Sequence, residues 1–135
     1  MAETNVHLKG APTLYDAAGG MAFFGRLVDE FYDRVELDPV LLGLYPEPED
    51  LAPARERLRL FLAQYWGGPT TYSDQRGHPR LRMRHNPFTI GARERDHWLV
   101  AMRAAVAALA PPAAIAEALL DYFVTAADAM RNAPE

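Results

Sequence analysis

Apolar residues recur along this chain at helical spacing, and prolines and glycines punctuate the periodic stretches. Met21, Phe24, Leu27, Val28, Phe31 and Val35 fall on one face of a helix that Asp38-Pro39 breaks. Ahead of it, Thr13 caps a short helix over Leu14–Ala18, closed by Gly19-Gly20. Val40–Tyr45 forms another turn or two, and Pro46-Glu47-Pro48-Glu49-Asp50 a loop. Asp50 reads as the N-cap of a helix to about Trp66, with Pro53 in its first turn, where proline is tolerated. Its inner face is Leu51, Ala54, Leu58, Phe61, Leu62 and Tyr65, and Gly67-Gly68-Pro69 stops it. Residues 69–80 read as a long loop. Pro79 opens a short helix that reaches His85, and Asn86-Pro87 ends it. A helix from about Gly91 to Leu109 buries Trp98, Met102, Val106 and Leu109. Pro111-Pro112 separates it from a last helix, about Pro112–Met130, that turns Ile115, Leu119, Tyr122, Phe123 and Ala126 inward. No stretch alternates as a strand would, so the expected fold is all-α with four main helices.

The 135 residues make one domain, and the polar segment 1–12 is expected to be a loose arm before it. Half the residues are hydrophobic and 24% charged, enough apolar surface for a core with room for a pocket. No apolar run is long enough to span a membrane, and the start carries no signal pattern, so a cytoplasmic protein is expected. A net charge of −4 argues against general binding to nucleic acid. With no cysteine, thiol catalysis, disulfides, thiolate zinc sites and iron–sulfur clusters are excluded.

The chain carries no phosphate-binding glycine loop, no nucleophile motif and no clustered metal-ligand spacing. Of its four histidines, His7 lies in the arm, His78 in a loop before proline, and His97 is expected on the surface. His85 ends an arginine-rich helix just before Asn86-Pro87, and local pattern leaves it either structural or functional. The run from Arg76 to Arg84 holds four arginines, which suit a solvated basic face or a clamp for a small dianion with two carboxylates. Tyr32, Tyr45 and Trp98 sit where the pattern turns inward. Three buried polar aromatics need partners for their OH and NH groups, in a polar network or on a ligand.

The strings Tyr65-Trp66-Gly67-Gly68-Pro69, Tyr72-Ser73 and Arg76-Gly77-His78-Pro79-Arg80-Leu81-Arg82-Met83-Arg84-His85 closely resemble the group II truncated haemoglobins, in particular the actinobacterial type. The likeness runs from Leu14-Tyr15-Asp16 through Phe31-Tyr32 and Tyr45-Pro46 to Glu94-Arg95-Asp96 and Trp98-Leu99, covering about residues 13–135 as one truncated globin domain.

The resemblance implies a two-over-two helical sandwich around haem b, iron protoporphyrin IX, with His85 as the proximal iron ligand. It makes Arg84 and Tyr72 candidates for holding the haem propionates. Tyr32, Tyr45 and Trp98 take the distal, ligand-facing positions. Ala54 stands where many globins carry a distal histidine, with Leu58 one turn on. Leu58, Phe61, Leu62 and Met102 are expected to line the pocket. The implied activity is reversible binding of O₂ and other diatomic ligands, with slow release because several donors would hold a partly negative ligand. The alternative is a haem redox enzyme, a peroxidase or nitric-oxide dioxygenase, which would need an external reductase. Ala54 offers such an enzyme no distal base.

Overall fold

The computed structural model describes residues 13–85 and 88–133, without the side chain of Arg82. The arm, with His7, and Asn86-Pro87 lie outside the described residues. The described residues form helices α1 (Leu14–Ala18), α2 (Gly20–Val35), α3 (Pro39–Leu42), α4 (Ala52–Tyr65), α5 (Thr71–Arg76), α6 (Leu81–His85), α7 (Ala92–Leu109) and α8 (Ala113–Ala129), and no strand. Among them no helix is long and apolar enough to cross a membrane.

Helix α2 organises the domain because its inner face is apolar over its whole length. Phe24, Leu27, Phe31 and Val35 are fully buried. This face packs against both α4 and α7, and α7 in turn packs on α8. Arg55 of α4 reaches Asp29 and Asp33 of α2 and Glu36 just past its end, at 3.0–3.3 Å, which sets how α4 lies on its neighbour. Each such contact at a surface contributes little, about 0–1 kcal/mol, so the apolar face does most of the holding.

Apart from the turns expected over Val40–Tyr45, which end at Leu42, the expected helix boundaries hold to within a residue or two, with three differences. The first is the loop expected over 69–80, which contains α5. Six residues, Thr-Tyr-Ser-Asp-Gln-Arg, show no apolar period. The helix is held from outside, by the Gln64 carboxamide, which accepts from the Ser73 amide at 2.9 Å and donates to the Ser73 hydroxyl at 2.7 Å. One of the orphan amides of the first turn is thereby satisfied. The second is at α4, where Leu51 rather than Asp50 flanks the first turn, although Asp50 still accepts from the Ala52 amide at 3.2 Å. The third is at α6, which starts at Leu81 and not at Pro79. Arg80 has φ 43°, in the left-handed region, and cannot join a right-handed helix.

Gly67 and Gly68 end α4, as the pattern predicts, but their second use is tertiary. Gly67 has φ +104°, and a Cβ there would stand 2.7 Å from Thr13. A Cβ on Gly68 would meet the Tyr15 ring at 2.7 Å and the Ala63 carbonyl at 2.8 Å. The missing side chains let α1 lie on the end of α4, where the Tyr15 amide donates to the Trp66 carbonyl at 3.0 Å. Gly68→Ala is therefore expected to lower stability by about 1–3 kcal/mol through overpacking. Urea denaturation measures this, and an unchanged midpoint would contradict the close approach.

Candidate functional site

A cleft of about 480 Å³ opens among α2, α4, α6, α7 and α8. Its size suits a small-molecule or cofactor site. Its walls are mostly apolar, with polar side chains contributed by α2, α4, α5, α6, α7 and α8.

Helix α6 brings His85 to the cleft. The ring Nδ1 lies 2.7 Å from the carbonyl of Leu81, one turn earlier. A carbonyl can only accept, so Nδ1 carries the proton and donates. Nε2 is then the free lone pair of a cleft-lining side chain. Metal-bound histidines are commonly oriented by such a bond from the second ring nitrogen. Among the described residues no group of three or more His, Cys, Asp or Glu side chains could hold a bare ion. His85 can supply only one ligand, which fits a metal already held by a prosthetic group.

The polar aromatics expected to face a ligand all reach the same cleft: Tyr32 from α2, Tyr45 from beyond α3, and Trp98 from α7. The Tyr45 and Tyr32 hydroxyls are 3.4 Å apart. Their pair uses one O–H and keeps the other for the cleft. Burial, reinforced by Tyr45, holds the Tyr32 phenol well above its usual pKa. Burial also pushes Tyr45 up, against the opposing effects of the Tyr32 hydrogen bond and Arg57. Both remain protonated donors at neutral pH. Trp98 packs between Phe31, 5.2 Å away, and Phe123, 5.6 Å away. Its indole N–H has no hydrogen-bond partner among the described residues.

Ala54, Leu58, Phe61 and Leu62 of α4 line the cleft, as does Tyr72 of α5. Met102 is the exception. It was expected at the pocket but lies fully buried in the core and does not border the cleft. It is one turn past Trp98 on α7, and that turn carries it away from the opening and into the core packing. Arg84 borders the cleft, but much of its guanidinium is engaged elsewhere. Nε donates to the Pro79 carbonyl at 2.6 Å, and Nη2 to those of Arg76 and His78 at 2.8 and 3.1 Å. It thus ties α5 to α6. Its charge also lies over the Tyr72 ring, as does that of Arg76, each at 5.9 Å.

Several cleft residues were not singled out from sequence, among them Arg57, Phe88, Ile90, Tyr122 and Met130, whereas Arg76 belongs to the arginine run that suits a dianion clamp. Arg57 had a signal, since it follows Ala54 by three and shares its helix face. Phe88 and Ile90 had none, because they sit in irregular chain. Tyr122 stood on the inner face of the last helix. Burial and the neighbouring Tyr65 raise its phenol to about 12.

His97 stands at the surface as expected, its side chain 40% exposed, and is also a connector. Its Nδ1 lies 2.8 Å from Asp38, whose other carboxylate oxygen accepts from the Val40 amide at 2.9 Å and the Leu41 amide at 3.4 Å. One carboxylate therefore caps α3 and joins it to α7 beside Trp98. His78 is exposed, and its Nδ1 accepts from the Arg80 amide at 3.1 Å.

Asp38→Ala removes both the cap and the link, and is expected to cost about 1–2 kcal/mol at neutral pH. Burial raises the Asp38 carboxyl, but hydrogen bonds from His97, Leu41 and Val40 outweigh it and hold the pKa below its usual 3.8. Because the folded value is lowered, this stability is complete above the usual value and is lost as pH falls through the folded one. Denaturation of the two proteins across pH 7 to 2 tests this: their difference should shrink only at the acid end.

Residues 13–132 match the bacterial-like globin family. A group 2 truncated hemoglobin of Bacillus subtilis, YjbI, is 41% identical over 92 residues, which are 68% of this chain and 67% of that protein. The crystal structure of a thermostable hemoglobin from the actinobacterium Thermobifida fusca superposes with TM-score 0.89 at 62% identity, over 92% of this chain and all of that one. A truncated oxygen-avid haemoglobin from Bacillus subtilis superposes with TM-score 0.84 at 36% identity, over 90% of this chain and all of that one.

Proposed function

The chain belongs to the bacterial-like globin family, as a truncated haemoglobin, and from that premise we propose that its cleft holds haem b and reversibly binds O₂ and other diatomic ligands. The carrying observation is the His85 ring, whose Nδ1 bond to the Leu81 carbonyl leaves Nε2 free to ligate iron. The cleft suits the group otherwise as well. Leu58, Phe61, Leu62 and Phe123 offer apolar contact to the macrocycle, and Arg57, Arg76 and Tyr72 offer donors to its propionates. The bound haem supplies an open coordination position for a diatomic ligand.

The remaining work falls to the protein. Trp98 offers an N–H that no other described residue uses, held in place by Phe31 and Phe123. The Tyr32–Tyr45 pair offers an O–H whose high pKa keeps its proton. Donors aimed at a ligand with negative charge on its outer atom each contribute about 1.5–3 kcal/mol. Two would slow release by several hundredfold or more, at 1.36 kcal/mol per decade. That the oxygen-avid relative from Bacillus subtilis shares the fold supports slow release here. A protein that hardly releases oxygen serves sensing, scavenging or redox turnover better than carriage. A peroxidase would want a proton-carrying group near the ligand, and the Ala54 methyl cannot be one.

His85→Ala is expected to abolish the five-coordinate ferrous spectrum, and added imidazole to restore it. A wild-type ferrous spectrum in the variant without imidazole would remove His85 from the iron.

Trp98→Phe keeps most of the apolar bulk and deletes one donor. Oxygen dissociation is expected to quicken about ten- to a hundredfold, with a smaller change for carbon monoxide. Stopped-flow off-rates decide it, and an unchanged oxygen rate would make Trp98 a packing residue only.

A further inference from the structure

Helix α6 has five residues and cannot hold its own shape or direction. Helices this short are marginal in water unless the rest of the fold holds them, yet this one carries the His85 ring. On its entry side, Arg84 ties it to the carbonyls of Arg76, His78 and Pro79. On its exit side a single residue from beyond α8 does the equivalent work. Asn132 donates from Nδ2 to the His85 carbonyl at 3.2 Å and to the Phe88 carbonyl at 2.8 Å. Its Oδ1 accepts from the Ile90 amide at 2.8 Å. The amides of Asn132 and Ala133 both donate to the Ile90 carbonyl, at 2.8 and 3.1 Å.

We propose that Asn132 is a positioning residue for His85, clasping the backbone that follows the proximal ring from the far end of the chain. The proposal rests on His85 being the iron ligand. The carboxamide uses both Nδ2 hydrogens and its oxygen, a set that no other side chain of that length presents. Aspartate keeps the acceptor and loses the donors, and glutamine is one methylene too long. His85 is thereby held at two points: its ring by the Leu81 carbonyl and its main chain by Asn132. Loosening the second point frees the ring to tilt, which changes how Nε2 meets the metal.

The haem-loaded protein is compared with Asn132→Ala, Asn132→Asp and Asp128→Ala, all well below their melting temperatures. Asn132→Asp keeps the acceptor for the Ile90 amide and turns the two Nδ2–H donations into an oxygen facing the His85 and Phe88 carbonyls, so it remains informative if the alanine variant folds poorly. Asp128→Ala breaks the 2.7 Å ion pair with Arg95 at the same end of α8 and serves as the control for a loosened helix. The readouts are the iron–histidine stretching band of the ferrous form, by resonance Raman, and the rate of haem transfer to excess apomyoglobin. Both Asn132 variants should shift or broaden the band. They should also lose haem about tenfold faster, which corresponds to about 1.4 kcal/mol. The control should keep the wild-type band. Wild-type band and transfer rate in both Asn132 variants, or the same shift in the control, would overturn the proposal and leave the ligand role of His85 standing. A wild-type protein without any iron–histidine band would sink both.

Discussion

The bond from the His85 ring to the Leu81 carbonyl, 2.7 Å long, decides which imidazole nitrogen is available to the cleft, and the neighbouring structure is arranged so that this bond can exist. It needs α6 to make its one turn, because Leu81 and His85 meet only at a separation of four residues. That turn needs Arg80 in the left-handed region to set its start and Arg84 to gather three carbonyls behind it. It also needs Asn132, 47 residues away, to hold its exit. A five-residue helix is thus held at both ends by contacts from outside itself.

A cleft in a small domain competes with the core for the same apolar side chains. Here the competition is resolved along the helices. Helix α2 closes the core with Phe24, Leu27, Val28, Phe31 and Val35, while Tyr32, next to Phe31, borders the cleft. On α7, Trp98 borders the cleft and Met102, one turn later, is sealed in the core. The Phe31–Trp98–Phe123 contacts join the two regions, so the aromatic side chains that pack the core also fix the indole at the cleft. The carboxylate of Asp38 links α3 to α7 through His97, immediately beside that indole, so the helix turn before Tyr45 and the helix of Trp98 are held together.

Much of this architecture is legible in the sequence. Helical periodicity located α2, α4, α7 and α8, because each buries an apolar face long enough to repeat several times. Thr13 and Gly19 bounded α1 through capping, a local effect. The family likeness of the strings around Tyr65 and His85 pointed to the fold, and the match of residues 13–132 to the bacterial-like globins agrees with it. Short elements were less legible. Helix α5 was invisible as a pattern, since a Gln64 side chain from another helix supports it.

From the sequence alone came the helix-rich class, the four long helices, and the polar aromatics and histidine that the cleft gathers. These follow from local propensity, from spacing along a single element and from the family strings. The tertiary structure decided which nitrogen of His85 is free, that Met102 belongs to the core, that His97 is a connector, and that Arg84 spends its donors on backbone carbonyls. Each of these depends on which groups from distant parts of the chain come within hydrogen-bonding or packing distance. The period of a helix tells which face is apolar, but not what that face meets.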